Sequence, residues 1–173
     1  MDSRLPKLIF VLLVLYAAIH FSYYYPQLPN VVAGHFGKHG EANGWQPKAA
    51  FFQGLVIVSV VAAVVGFAVP AIIGAIPAPL INLPNKRYWL APEHLAETME
   101  FLKTYFAWFA CAIYLIMIVT FDYAVQFNLH PQNPPSPARM WYALAGFLIF
   151  TVVWTIRMLA KFLRVPSDSM PIK

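Results

Sequence analysis

Charge is what this sequence has least of. Asp, Glu, Lys and Arg make up only 11% of its 173 residues, against 60% hydrophobic, whereas soluble domains carry about a quarter charged residues. That balance excludes a water-surrounded globule and points to a bilayer. Cysteine is scarce as well: the single Cys111 excludes an internal disulfide and leaves the redox compartment unread. Its setting, "WFACAIYL", is that of a small core residue. No Walker loop, GxSxG elbow, dinucleotide fingerprint, HExxH or CxxC spacing occurs, and no nucleophile–base pair is recognisable. An ordinary soluble enzyme is thereby excluded; a membrane enzyme is not, but no constellation supports one, and a non-enzymatic chain is expected. The net charge of +5 is scattered among apolar runs rather than gathered into a patch, so nucleic acid is not an expected partner. Internal repeats and low-complexity linkers are also absent.

Long apolar runs are what it has in plenty. A membrane-crossing helix needs about 20 mostly apolar residues, and four stretches qualify: about 8–25, 51–76, 101–125 and 140–163. The expected fold is an all-α membrane protein, a single domain built as a bundle of four transmembrane helices. Residues 26–49 form a loop on one side and 77–100 a loop on the other. The first run follows Arg4 and Lys7 and lacks a small-residue cleavage site, so it reads as an uncleaved signal-anchor. Nine basic residues (Arg4, Lys7, Lys86, Arg87, Lys103, Arg157, Lys161, Arg164 and Lys173) flank one side, and three (Lys38, Lys48 and Arg139) flank the other. Basic flanks favour the cytoplasm, which puts both termini and the middle loop inside and residues 26–49 outside. Tyr23, Tyr24 and Tyr25 then mark the outer interface, and Tyr88 with Trp89 the inner one. Pro70 should kink the second span, and Pro92 with Glu93 should open a helix that runs on into the third.

Between the first two spans lies "LPNVVAGHFGKHGEANGW", which holds four of the eight glycines and two of the five histidines. Gly34, Gly37, Gly40 and Gly44 disfavour a helix there, and the Asn43–Gly44 pair suggests a tight turn or hairpin. His35 and His39, with His130 or Glu41, could converge on zinc, copper or nickel; the alternative is that they serve turns and hydrogen bonds. Asp122 sits at membrane depth, where an acid is by default a functional candidate, or it pairs with Arg139 or His20 and holds helices together. Glu93, Glu97 and Glu100 share a helix face, best read as a headgroup-level face paired with Lys86, Arg87 and Lys103.

Two stretches, "YYYPQLPNVVAGHFGKHGEANGWQPK" and "NLPNKRYWLAPEHLAETM", together resemble the bacterial membrane family called domain of unknown function 1648, which occurs in SdpI-like immunity proteins. The resemblance spans roughly residues 8–105. Its pattern falls on Leu28, Pro29, His35, Phe36, Gly40, Gly44, Trp45 and Lys48 in the first stretch. In the second it falls on Pro84, Asn85, Tyr88, Trp89, Leu90, Pro92 and Glu93. His39 stands outside the pattern. The resemblance implies a multi-pass protein of the bacterial cytoplasmic membrane. No cofactor is expected unless the histidines hold zinc or copper, and the expected partners are lipids and either an extracytoplasmic peptide or other membrane subunits.

Three functions compete. The first is a binding or regulatory protein whose outer segment recognises an extracytoplasmic peptide. The second is an accessory subunit of a larger complex, packing through small residues such as Ala62, Ala63 and Gly66. The third is a metal-binding protein using His35, His39 and His130.

Overall fold

A computed structural model describes residues 3–165; Lys173 and the C-terminus, which entered the charge count, lie outside the described residues. Four helical stretches are long and apolar enough to cross a membrane: Arg4–Gln27, Lys48–Ala75, Pro92–Leu129 and Ala138–Leu163. In hydrocarbon every main-chain polar group must find its partner within the chain, and an unbroken helix does this by itself. The first stretch is α1 (Arg4–Tyr24), closed by a short 3-10 turn. The second comprises α2 (Lys48–Ala63), a π turn (Val64–Ala68) and α3 (Val69–Ala75). A one-turn helix, α4 (Lys86–Trp89), precedes the 38-residue α5 (Pro92–Leu129), and α6 (Ala138–Leu163) ends the described fold.

The kink expected at Pro70 takes a specific form. Proline cannot donate to the carbonyl four residues back, here that of Gly66. The chain widens into the π turn just before it, with the Val69 amide reaching back five residues to the Val64 carbonyl.

The four long helices are not equivalent members of a bundle. α5 is the hub, packed against α1, α2, the π turn, α3 and α6. Its most apolar eighteen-residue window is 39% buried within the chain, while that of α6 is 0% buried. Small residues on α5 make this possible. A Cβ on Gly66 would lie 2.5 Å from the Cβ of Ala110, so the π turn and α5 touch backbone to backbone. Ala62 is fully buried in the same seam. The small-residue surface expected to receive a partner subunit is thus largely spent inside the chain. α6 is tied to α5 by a reciprocal pair: Trp154 donates to the Tyr105 carbonyl (3.1 Å) and Tyr105 to the Trp154 carbonyl (3.3 Å), with the rings stacked at 5.1 Å.

The 28–45 segment departs from an all-α fold. Strands β1 (Val31–Phe36) and β2 (Ala42–Pro47) form an antiparallel hairpin, with bulges on either side of the His35–Gly44 pair. Its turn lies at Gly37–Glu41 and not at Asn43–Gly44, which are strand residues. Gly40, at φ +84°, supplies the left-handed residue the turn needs. Gly44 has another task, since a Cβ there would come within 2.9 Å of the His35 Cβ on the facing strand.

Candidate functional site

The hairpin is clamped onto the end of α5. Asn128 brackets Ala33: its carbonyl oxygen accepts from the Ala33 amide (2.7 Å), while its NH2 donates to the Ala33 carbonyl (2.9 Å) and to the Ala124 carbonyl (2.7 Å). Phe36 packs edge-on against Tyr123 and Phe127, at 5.2 and 5.0 Å between ring centres. The Tyr123 hydroxyl donates to the Gly40 carbonyl (3.3 Å), and Trp141 at the start of α6 donates to the Lys38 carbonyl (3.1 Å). Lys48 closes the base. Its amide donates to the Asn30 carbonyl (2.9 Å), its ammonium to the Leu28 carbonyl (3.1 Å), and the ammonium stands 4.9 Å over the Tyr25 ring.

The two edges of this hairpin differ. In an antiparallel ladder, bonded and non-bonded pairs alternate. Asn30 and Lys48 are a bonded pair, so Ala33 and Trp45, three steps along, are a non-bonded one whose main-chain groups point outward. On β1 that outward edge is covered by Asn128. On β2 the corresponding edge, at Trp45, receives no hydrogen bond from α5 or α6 among the described residues, and the Trp45 side chain is 63% exposed. Among the pattern residues of this segment, Leu28, His35, Phe36, Gly40, Gly44 and Lys48 each have a packing or bonding task, whereas Pro29 and Trp45 are exposed and have no such side-chain task among the described residues.

The structure does not bring His35, His39 and His130 together. His35 and Asn43 are hydrogen-bonded side chain to side chain across the strands. The His39 ring is exposed, with its amide donating to the Glu41 carboxylate (3.0 Å). His130 is the exposed residue ending α5. Among the described residues no group of three or more His, Cys, Asp or Glu is placed to hold a metal ion. The reason is local: the pair four apart would face one way on a helix, but the hairpin turn separates His35 from His39, and His35 is already engaged.

Asp122 is held from both sides. His20 Nε2 is 2.9 Å from one carboxylate oxygen and Arg139 3.0 Å from the other, with Asp122 itself 7% exposed. This joins α1, α5 and α6 at the hairpin end. The sequence reading offered His20 or Arg139 as the partner; the structure uses both.

The second motif works at the opposite end, as a cap on α6. The last carbonyls of a helix lack partners within it. Asn85, in the left-handed region at φ 51°, donates to the Phe162 and Leu163 carbonyls (3.0 and 3.1 Å). Trp89 Nε1 adds a bond to the Phe162 carbonyl (3.2 Å) and packs edge-on to the Phe162 ring. Thr98 returns a bond to the Trp89 carbonyl (2.8 Å), and Tyr88 lies against His94 at 4.1 Å between ring centres. Pro84 leads into Asn85, and Pro92 with Glu93 starts α5. Glu97 pairs with Lys161 (3.3 Å), whose ammonium also sits over Trp89 and Phe101. Among the described residues these glutamates make no ion pair with Lys86, Arg87 or Lys103: the partner of Glu97 comes from α6, while Glu100 is hydrogen-bonded to Ser3 with the charges of Lys103 and Lys7 nearby.

Sequence reasoning missed Asn128, Tyr123 and Trp141 as the groups that seat the hairpin. The available signal was an amide in the last turn of an apolar run, on the helix face that also carries Ala124.

Residues 8–60 match the family model described as Domain of unknown function (DUF1648). The matched stretch covers most of α1, the hairpin and most of α2. It ends well before Pro84, so the second motif lies outside it, although the resemblance read from the sequence extended to about residue 105. No curated protein and no solved structure matches the chain.

Proposed function

We propose that this chain is a non-enzymatic, multi-pass protein of the bacterial cytoplasmic membrane, with the hairpin outside and α4 inside, and that the hairpin recognises an extracytoplasmic peptide. The observation that carries this reading is the asymmetry of the hairpin. One strand edge is seated on α5 by Asn128, and the other is open beside an exposed tryptophan. An extended peptide can add to such an edge through main-chain hydrogen bonds, with an aromatic side chain supplying contact area. The DUF1648 match over residues 8–60, which includes the whole hairpin, supports treating it as one unit with the two helices that carry it. The basic residues crowded at the α4 end support the orientation.

The test is complementation of a knockout strain challenged with peptides from culture supernatant. Trp45→Pro removes the outward amide and the aromatic ring, yet leaves the ladder donors of Gln46 and Lys48 in place. Wild type should protect, while Trp45→Pro and deletion of residues 28–45 should not, with all three present in the membrane. Equal growth with every variant, or with no protein at all, contradicts the proposal.

A second reading, an accessory subunit of a membrane complex, draws support from α6. Its apolar window is unburied, and an apolar groove of about 390 Å³ runs along Leu115, Val119, Gly146 and Phe150. Stoichiometric co-purification of another membrane protein in mild detergent, lost on Gly146→Phe, would favour this reading, and a clean monomer would oppose it.

A further inference from the structure

The geometry points to a binding site for one anionic phospholipid in the recess formed by Ala78, Pro79, Lys86, Arg87 and Leu90. This recess, of about 490 Å³, lies where the extended segment after α3 turns into α4, at the end opposite the hairpin. It brings together the two features of an acidic lipid headgroup site: uncompensated cations and an apolar rim.

The cations come first. Lys86 donates to the carbonyls of Pro79 (2.9 Å) and Ile81 (3.3 Å). An ammonium carries three donors, so one remains, and carbonyl dipoles do not neutralise its charge. Arg87 is exposed, and no side chain among the described residues bonds its guanidinium. Neither cation has a carboxylate within ion-pair distance among the described residues: of the three acids at this end, Glu97 pairs with Lys161, Glu100 is hydrogen-bonded to Ser3, and Glu93 forms no ion pair. The surroundings reinforce this. Eight described basic residues but only three described acids lie at this end of the helices, and such a field concentrates anions.

The rim selects a lipid over a soluble anion. Ala78, Pro79 and Leu80 project outward, with Leu80 76% exposed, directly beyond a helix apolar enough to cross a membrane. A phosphodiester held by Arg87 and the free donor of Lys86 would leave its acyl chains against Leu80 and Leu90. Arginine suits phosphate because its planar fork makes two parallel bonds. This site is independent of any ligand at the hairpin.

The full chain in nanodiscs of phosphatidylcholine, with and without one-fifth phosphatidylglycerol, tests it by native mass spectrometry after release from the disc. Wild type should retain one phosphatidylglycerol. Arg87→Gln, which removes a side chain with no hydrogen bond or ion pair among the described residues, should reduce retention about fivefold, the worth of one basic residue near an anionic surface. Arg164→Gln removes an exposed cation at the same end but outside the recess, and should retain the lipid as wild type does. Three results would overturn the site: retention unchanged in Arg87→Gln, equal loss in Arg164→Gln (diffuse charge rather than a site), or displacement of the lipid by millimolar inorganic phosphate.

Discussion

Replacing Asn128 with alanine should release the hairpin while leaving the helices assembled. Ala33 is 1% exposed, and Asn128 satisfies both its amide and its carbonyl. Stranding a buried donor or acceptor costs about 1–3 kcal/mol per group. Two groups are stranded, and water can reach part of the site at the end of the helix, so undocking should become easier by about 2–4 kcal/mol. The bond to the Ala124 carbonyl adds little, because that carbonyl belongs to the helix ladder. In the exchange-competent limit, such a change speeds amide exchange of β1 and β2 by about thirtyfold to a thousandfold. Hydrogen–deuterium exchange on purified protein in detergent, followed on peptides covering residues 28–48, reads it out. Asn133→Ala, which alters an exposed amide in the α5–α6 loop, should leave exchange unchanged. If hairpin exchange in Asn128→Ala matches wild type, the bracket is not what seats the hairpin. If exchange rises equally along α1, α5 and α6, the effect is global and the docking argument fails.

Other perturbations test other joints. Gly66→Ala places a methyl 2.5 Å from the Ala110 Cβ and should destabilise by about 1–3 kcal/mol, with Ala110→Gly restoring part of the loss in thermal melts. Asp122→Ala and His20→Ala should be strongly non-additive in a double-mutant cycle, because the same carboxylate organises both; additive losses would mean that the pair does not couple α1 to α5. Asn85→Ala loses the cap on α6 and forces alanine into the left-handed region, so it should cost about 2 kcal/mol or more, whereas Asn85→Gly recovers the backbone part. In intact cells a membrane-impermeant maleimide should label Lys38→Cys and spare Arg87→Cys, with buried Cys111 silent in both; the reverse pattern would invert the orientation.

The four spans were legible in the sequence because span length and apolar continuity are set by the bilayer, and a run such as Phe51–Ile76 admits no other reading. The ionic joint at Asp122 was legible for a related reason: an acid at that depth needs a cation, and few were within reach. What the sequence hid was partnership across distance. Nothing in the pattern around Asn128 says that it brackets Ala33, since side-chain to main-chain bonds depend on which strand edge arrives there. The turn was misplaced at Asn43–Gly44 because two bulges shift the register, putting the left-handed residue at Gly40 and leaving Gly44 to make room for His35. The capping task of the second motif was hidden as well, because its polar groups answer the unsatisfied carbonyls of a helix some 75 residues away in sequence, at Phe162 and Leu163.

A photo-crosslinking amino acid at position 45, activated in intact cells and compared with the same group at the lipid-facing position 149, addresses the function of the hairpin. Recognition through the open edge of β2 predicts a peptide adduct at position 45 that is absent at 149 and is lost when Gln46 is also changed to proline to break the ladder. Lipid adducts alone at both positions would contradict it.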